Sequence, residues 1–131
     1  MPLIPRFLRK STEKNFLLLD GELFKTLVGA NSEIHGRLRT GENSRIDGHV
    51  LGDIESAPNT TPTIAVAETG FVDGDINAHR VLVAGRVSGS IQATERVELT
   101  AGAVVEGNIW AKSVGMNHGA TVKGLISGQT N

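Results

Sequence analysis

The sequence predicts an all-β chain folded as a parallel β-solenoid, about six short coils stacked on one another with three faces each. Three observations carry this. The phrase apolar, any residue, Gly, any residue, apolar recurs as Ile34-His35-Gly36-Arg37-Leu38, Val50-Leu51-Gly52-Asp53-Ile54, Val72-Asp73-Gly74-Asp75-Ile76, Val87-Ser88-Gly89-Ser90-Ile91, Val105-Glu106-Gly107-Asn108-Ile109 and Val122-Lys123-Gly124-Leu125-Ile126. Its glycines at 36, 52, 74, 89, 107 and 124 are 16, 22, 15, 18 and 17 residues apart, and units so short bury apolar residues only by stacking on their neighbours. Between the phrases, Ile64-Ala65-Val66, Val81-Leu82-Val83 and Val97-Glu98-Leu99 place residues i and i+2 on one side, as strands do. Finally, Pro2, Pro5, Pro58 and Pro62 all avoid the repeated strands, where an inner coil needs every N–H.

Along the chain, residues 1–22 are non-repetitive and are expected to form a flexible N-terminal segment. Leu3, Ile4, Phe7 and Leu8 alternate there with Arg6, Arg9 and Lys10, but the long apolar stretch of a signal peptide is missing. No run approaches the ~20 apolar residues of a spanning helix. Phe16-Leu17-Leu18-Leu19 is only four residues long.

The β-helix domain is expected over 23–128. In it, Val72 and Ile76, Val87 and Ile91, Val105 and Ile109, and Val122 and Ile126 point inward around a narrow aliphatic core. The central glycine of each phrase is expected on that inner side, leaving room for the core to close. Turns come from Thr40-Gly41-Glu42-Asn43, Ala84-Gly85, Ala101-Gly102 and Asn117-His118-Gly119. The 22-residue spacing reflects an insertion at 55–62, whose Ser-Ala-Pro-Asn-Thr-Thr-Pro reads as an exposed loop. Residues 129–131 are a short polar tail. A helical body fails on the same residues, because each repeated Gly costs a helix ~1 kcal/mol and leaves no continuous apolar stripe.

Composition narrows the function. Thirteen basic against fourteen acidic residues give a formal charge of -1, so no overall field draws the chain onto nucleic acid. With no cysteine, disulfides, thiolate chemistry and cysteine-rich metal sites are excluded. His35, His49, His79 and His118 lack partners at motif spacing and read as surface residues. Asp47, Asp53, Asp73 and Asp75 alternate with inward positions and read as solvent-facing carboxylates. Neither G-x-x-x-x-G-K-[S/T] nor G-x-G-x-x-G occurs in the right setting, so nucleotide-driven assembly is not expected. Trp110 follows inward Ile109 and should point out, as a lateral contact, a partner anchor or a singly exposed aromatic. No catalytic, cofactor-binding or metal-binding residue is assigned, and no cofactor is expected.

The ends of a solenoid are its exposed strand edges, templates for another chain unless covered or charged. Phe24, Leu27 and Val28 at one end and Val122, Leu125 and Ile126 at the other are therefore expected to carry polymerisation, with no cluster of lysines to prevent it. The competing reading is that Phe16 to Phe24 folds over the first coil as a cap, leaving a monomer or dimer.

The run from about Gly29 through Gly124 resembles the bactofilin family of bacterial polymer-forming cytoskeletal proteins. The likeness is densest in Arg45-Ile46-Asp47-Gly48-His49-Val50-Leu51-Gly52-Asp53-Ile54, Gly70-Phe71-Val72-Asp73-Gly74-Asp75-Ile76 and Ala103-Val104-Val105-Glu106-Gly107-Asn108-Ile109. That resemblance implies a right-handed, three-faced β-helix assembling end to end into nonpolar, nucleotide-independent filaments. It also implies a structural role in cell shape or polarity, and partners among cell-wall or polarity proteins. A cytoplasmic protein, peripheral on the inner face of the membrane, is the localisation that goes with it. By the same resemblance Leu3, Ile4, Arg6, Phe7, Leu8, Arg9 and Lys10 match a tail that touches anionic inner-membrane lipid, apolar side chains entering the interface while the cations meet headgroups. Two other readings stay open: a trimeric hexapeptide-repeat acyltransferase, since Val81, Val87, Ala93, Leu99, Val105 and Ala111 fall six apart, and a non-polymerising solenoid that acts as a binding module.

Overall fold

The structure, a computed structural model, describes residues 18–19 and 22–130. A short antiparallel pair, β1 (Leu18–Leu19) and β2 (Glu22–Leu23), precedes the solenoid. The first coil holds β3 (Thr26–Val28), β4 (Glu33–His35) and β5 (Leu38–Thr40), and the second holds β6 (Ser44–Ile46), β7 (His49–Leu51) and β8 (Ile54–Ser56). A third coil opens with β9 (Thr63–Val66) and β10 (Phe71–Asp73). From there single strands run from the second face of one coil to the third face of the next: β11 (Ile76–Val83), β13 (Ile91–Leu99), β15 (Ile109–Met116) and β17 (Ile126–Thr130). Between them lie β12 (Arg86–Ser88), β14 (Val104–Glu106) and β16 (Thr121–Lys123). Among the described residues there is no helix, and every pairing within the stack is parallel.

Three faces result. The first is a six-stranded sheet in the order β16-β14-β12-β10-β7-β4. The second runs from β5 and β8 into the first halves of β11, β13, β15 and β17, and the third from β3, β6 and β9 into their second halves. Register shifts between Ala78 and Arg80, Gln92 and Arg96, and Trp110 and Ser113 mark the bend between those two faces. Six coils at the ~4.8 Å inter-strand spacing make a rod of roughly 25 to 30 Å.

The inward columns follow the repeated phrase. Ile34, Val50, Val72, Val87, Val105 and Val122 pair in one continuous row on the first face. Leu38, Ile54, Ile76, Ile91, Ile109 and Ile126 form the matching row on the second. Val50, Val72, Val87 and Val105 are completely buried, as are Ile54, Ile76 and Ile91. The six-residue series from Val81 to Ala111 is also buried in this core, so that phase reports coil geometry.

The phrase glycines serve a different purpose from the expected one. They sit partly exposed at the corner between the first and second faces, Gly52, Gly74, Gly89 and Gly107 at φ of 152°, 158°, 153° and 158°. A Cβ on any of these four would strike the carbonyl oxygen of the corresponding glycine one coil earlier. Close backbone approach at a turn is what the missing side chain permits. The residue after each glycine builds a second ladder. Asp53 Oδ1 accepts the Asp75 N–H at 2.9 Å, Asp75 Oδ1 the Ser90 N–H at 2.9 Å, Ser90 Oγ the Asn108 N–H at 3.4 Å and Asn108 Oδ1 the Leu125 N–H at 3.0 Å. Asp53 and Asp75 are thus joints between coils, beyond their role as solvated charges. Asp47 also differs from its expected part: it pairs at 3.0 Å with Arg45, whose side chain is buried.

The insertion exposes Pro58, Asn59 and Thr61, while its ends are tied down. Pro62 and Thr63 are buried, the Ala57 N–H donates to Thr40 O at 2.9 Å and the Thr63 N–H to Asn43 Oδ1 at 2.9 Å.

Candidate functional site

At the start of the stack β3, β4 and β5 each pair, among the described residues, with one strand only, namely β6, β7 and β8. Their other edges face away from the rod. Ile34 and Leu38 close the two inner rows there and are half-buried, whereas their successors Val50 and Ile54 are fully buried. Val28 is buried and Leu27, which points outward, is 42 % exposed. Leu27 and Val28 therefore lie on the first coil as expected, and Ile34 and Leu38 join them. Those two were missed because inside a repeat they look like every other phrase position. Only their place in the first copy leaves them, among the described residues, without a coil on one side.

At the opposite end β16 and β17 are the edge strands. Val122 and Ile126 are half-buried and Leu125 is 75 % exposed. Leu125 occupies the position that Asp, Ser or Asn fills at 53, 75, 90 and 108, so the side-chain ladder stops at a residue with no acceptor. Met116 adds to this end. It continues an inward row through Leu99 and Val83, yet with no further coil over it among the described residues it is 43 % exposed.

Phe24 lies elsewhere. It is 1 % exposed and packs with Ala65, Leu82 and Ala84 in a cluster separate from the core. Ala65 and Leu82 stand between inward neighbours, Ile64 and Val66 in one strand and Val81 and Val83 in the other, so they point out of the third face. Phe24 is therefore seated on the flank of the third and fourth coils, not across the end of the first. Backbone bonds from the Lys25 and Thr26 N–H groups to Asn43 O, 2.9 and 3.2 Å, fix the chain just beyond it. Leu3, Ile4, Arg6, Phe7, Leu8, Arg9 and Lys10 lie outside the described residues, as do residues 16, 17, 20 and 21 of the alternative cap.

The outer side of the first face carries a row of paired charges. Glu33 lies 3.0 Å from His35 and 3.7 Å from His49, His49 meets Phe71 edge-on at 5.8 Å, and Arg86 stands over the Phe71 ring at 5.9 Å. Arg86 and Lys123 then bracket Glu106 at 2.9 and 3.6 Å. The hydrogen bond from Arg86, with the charges of Arg86 and Lys123, holds the Glu106 carboxyl below its ordinary range against a smaller opposing effect of desolvation. His79 Nδ1 lies 3.0 Å from Thr94 Oγ1, and His118 is exposed in a turn. A shallow groove of about 240 Å³ on the second face is lined by residues including Arg37, Asp53, Glu55 and Asp75, with Arg37 Nε 3.3 Å from Glu55. Trp110 points out of the same face and is 61 % exposed.

Comparison with known proteins matches residues 26–127 to the sequence model of a family described as "Bactofilin: Polymer-forming cytoskeletal". Bactofilin BacO of Myxococcus xanthus (strain DK1622) is 34 % identical over 101 residues, which cover 77 % of this chain and 77 % of BacO. Bactofilin BacP of the same organism is 34 % identical over 101 residues, covering 77 % of this chain and 40 % of BacP. No solved structure matches. The matched segment begins at the first strand of the stack and ends within the last.

Proposed function

The chain belongs to the bactofilin family of polymer-forming cytoskeletal proteins, and on that premise we propose that it stacks end to end through its first and last coils into nucleotide-independent, nonpolar filaments. The observation that carries this is the pair of open ends. Strand edges are unpaired there among the described residues, and the inner rows finish in side chains that a further coil would cover. Leu27, Val28, Ile34 and Leu38 form one contact surface. Met116, Val122, Leu125 and Ile126 form the other. At ~25 cal/mol per Å² of apolar area, covering a few hundred Å² supplies several kcal/mol before the costs of association.

Joints between like ends make a sharp prediction. Leu125→Lys places a charge at an exposed position, so the coil beneath it stays folded while the last-coil joint is lost. Such a variant should stop at pairs joined through their first coils, and Leu27→Lys with Leu125→Lys should be a monomer. Negative-stain microscopy and sedimentation read this out. Native-length filaments from the double variant would dispose of end stacking, and monomers from Leu125→Lys alone would rule out like-to-like joints.

The filament's place, on this reading, is the inner face of the cytoplasmic membrane, where it scaffolds cell shape or polarity and cell-wall or polarity proteins are its partners. Residues 3–10 supply the contact with anionic lipid: Leu3, Ile4, Phe7 and Leu8 enter the interface while Arg6, Arg9 and Lys10 meet headgroups. A single copy binds weakly, and a filament presenting many copies gains avidity. Removing residues 1–10 should abolish co-sedimentation with phosphatidylglycerol vesicles and leave filaments intact. Undiminished binding would take the role away from this segment.

A further inference from the structure

We infer that Leu125 sets the polarity of the joints: by interrupting the corner ladder at the last coil it disfavours a last coil stacking on a first, and so selects joints between like ends. This rests on the end stacking proposed above and names the residue that decides its direction. The inner rows do not decide it. Continued in the register of the coils, Val122 and Ile126 would be covered by Ile34 and Leu38 of a second copy, the aliphatic pairing that already joins each coil to the next. Charge does not decide it either. That register sets Lys123 beside the second copy's His35 and Thr121 beside its Glu33. Lys123 and His35 are each paired within their own chain, with Glu106 at 3.6 Å and Glu33 at 3.0 Å. On the second face it sets Ser127 beside Arg39, whose Nε lies 3.9 Å from Glu55.

The ladder at the corner between the first and second faces, by contrast, has a direction. The side chain after a phrase glycine accepts the N–H of the equivalent residue one coil later, from Asp53 through Asp75 and Ser90 to Asn108, over 2.9 to 3.4 Å. Arg37 and Leu125 hold the same place in the first and last coils and cannot accept, since a guanidinium only donates and an alkyl chain does neither. A first coil laid on a last coil would bring its Arg37 N–H to residue 125 and find no oxygen there. Loss of one net hydrogen bond weakens such a joint roughly tenfold. A joint between two last coils turns one copy over, so the parallel register stops at the joint. No ladder amide is then offered to residue 125, the Leu125 N–H on each side being bonded to Asn108. Leu125, 75 % exposed in the single chain, becomes apolar surface that the like joint covers.

Two blocked proteins test this. Leu27→Lys leaves only the last coil open and Leu125→Lys only the first, so a mixed pair of the two is an unlike joint. The chain has no cysteine, and Thr61→Cys in the exposed insertion gives each protein one dye for energy transfer. Mixed, the two should pair with their own kind and cross-associate weakly. Adding Leu125→Asn to the Leu27→Lys protein restores the acceptor that Asn108 supplies one coil earlier. Its apparent Kd for the Leu125→Lys protein should fall about tenfold or more below that of the first mixture. Leu125→Ala in place of Leu125→Asn removes the same apolar side chain without adding an acceptor and should give no such gain. Residue 125 is exposed and its own N–H keeps the bond to Asn108, so both variants keep the stack, which far-UV circular dichroism checks. Equally weak cross-association with Leu and Asn at 125, or an equal gain with Ala and Asn, overturns the inference and leaves like-to-like stacking in place. Strong cross-association in the first mixture overturns both, because unlike joints would then be the native ones. Blocked proteins that each stay monomeric at every concentration overturn end stacking itself, and this inference with it.

Discussion

At the scale of single residues, the corner glycines show how one residue type answers two separate demands. Gly36 has φ of 127°, yet a Cβ there would meet nothing within 4 Å, because among the described residues no coil precedes its own. Gly52 has φ of 152° and a Cβ there would strike the Gly36 carbonyl oxygen. Gly36→Ala should therefore cost only the backbone strain, about 1–3 kcal/mol. Gly52→Ala should cost that and the displacement of a neighbouring coil, giving the lower urea midpoint of the two. Equal midpoints would show that coil-to-coil approach is not what selects glycine. Glu106 supplies a test by pH. Its folded pKa lies below the ordinary value, so its contribution is present above that ordinary value and is lost as pH falls through the lowered one. Glu106→Gln should flatten that acid-side fall in thermal unfolding, while near neutrality it removes the pairing with Arg86 and Lys123.

Elements were legible to different degrees. The row from Val50 to Val122 could be read directly, since a fixed phrase recurring at coil length leaves one register in which every Val and Ile points inward. The flank seat could not. In Ile64-Ala65-Val66 and Val81-Leu82-Val83 three successive residues are apolar, and alternation says which two share a side without saying what covers the third. Position in the chain alone puts Phe24 at the end of the stack, whereas its side chain packs on the flank with Ala65, Leu82 and Ala84. Asp53 and Asp75 were also legible only in part. Their outward direction follows from alternation, but their bonds to the next coil's amides depend on a corner geometry that has no sequence period. The end rows, with Ile34, Leu38 and Met116 uncovered, needed the count of coils above and below each strand.

For the whole molecule, linkage between folding and assembly gives a prediction that no single residue carries. If end stacking buries the first and last coils, native protein is stabilised by its own concentration through mass action, by up to about 1.4 kcal/mol per tenfold rise in free ends. The midpoint of thermal unfolding should rise with protein concentration, and that of the protein with Leu27→Lys and Leu125→Lys should not. A native midpoint independent of concentration would detach stability from assembly.

What the sequence determined by itself was the stack: a repeated phrase too short to bury its own apolar residues has to pack against copies of itself, and that alone dictates parallel coils, an aliphatic interior and two ends. Only the tertiary structure decided what covers what. Burial of Phe24 on a flank, exposure of Met116 and Leu125 at an end, and amide bonds to side chains at the corners all depend on which segments meet across coils. Such meetings are set by the path of the chain through space, to which the local period of apolar residues is blind.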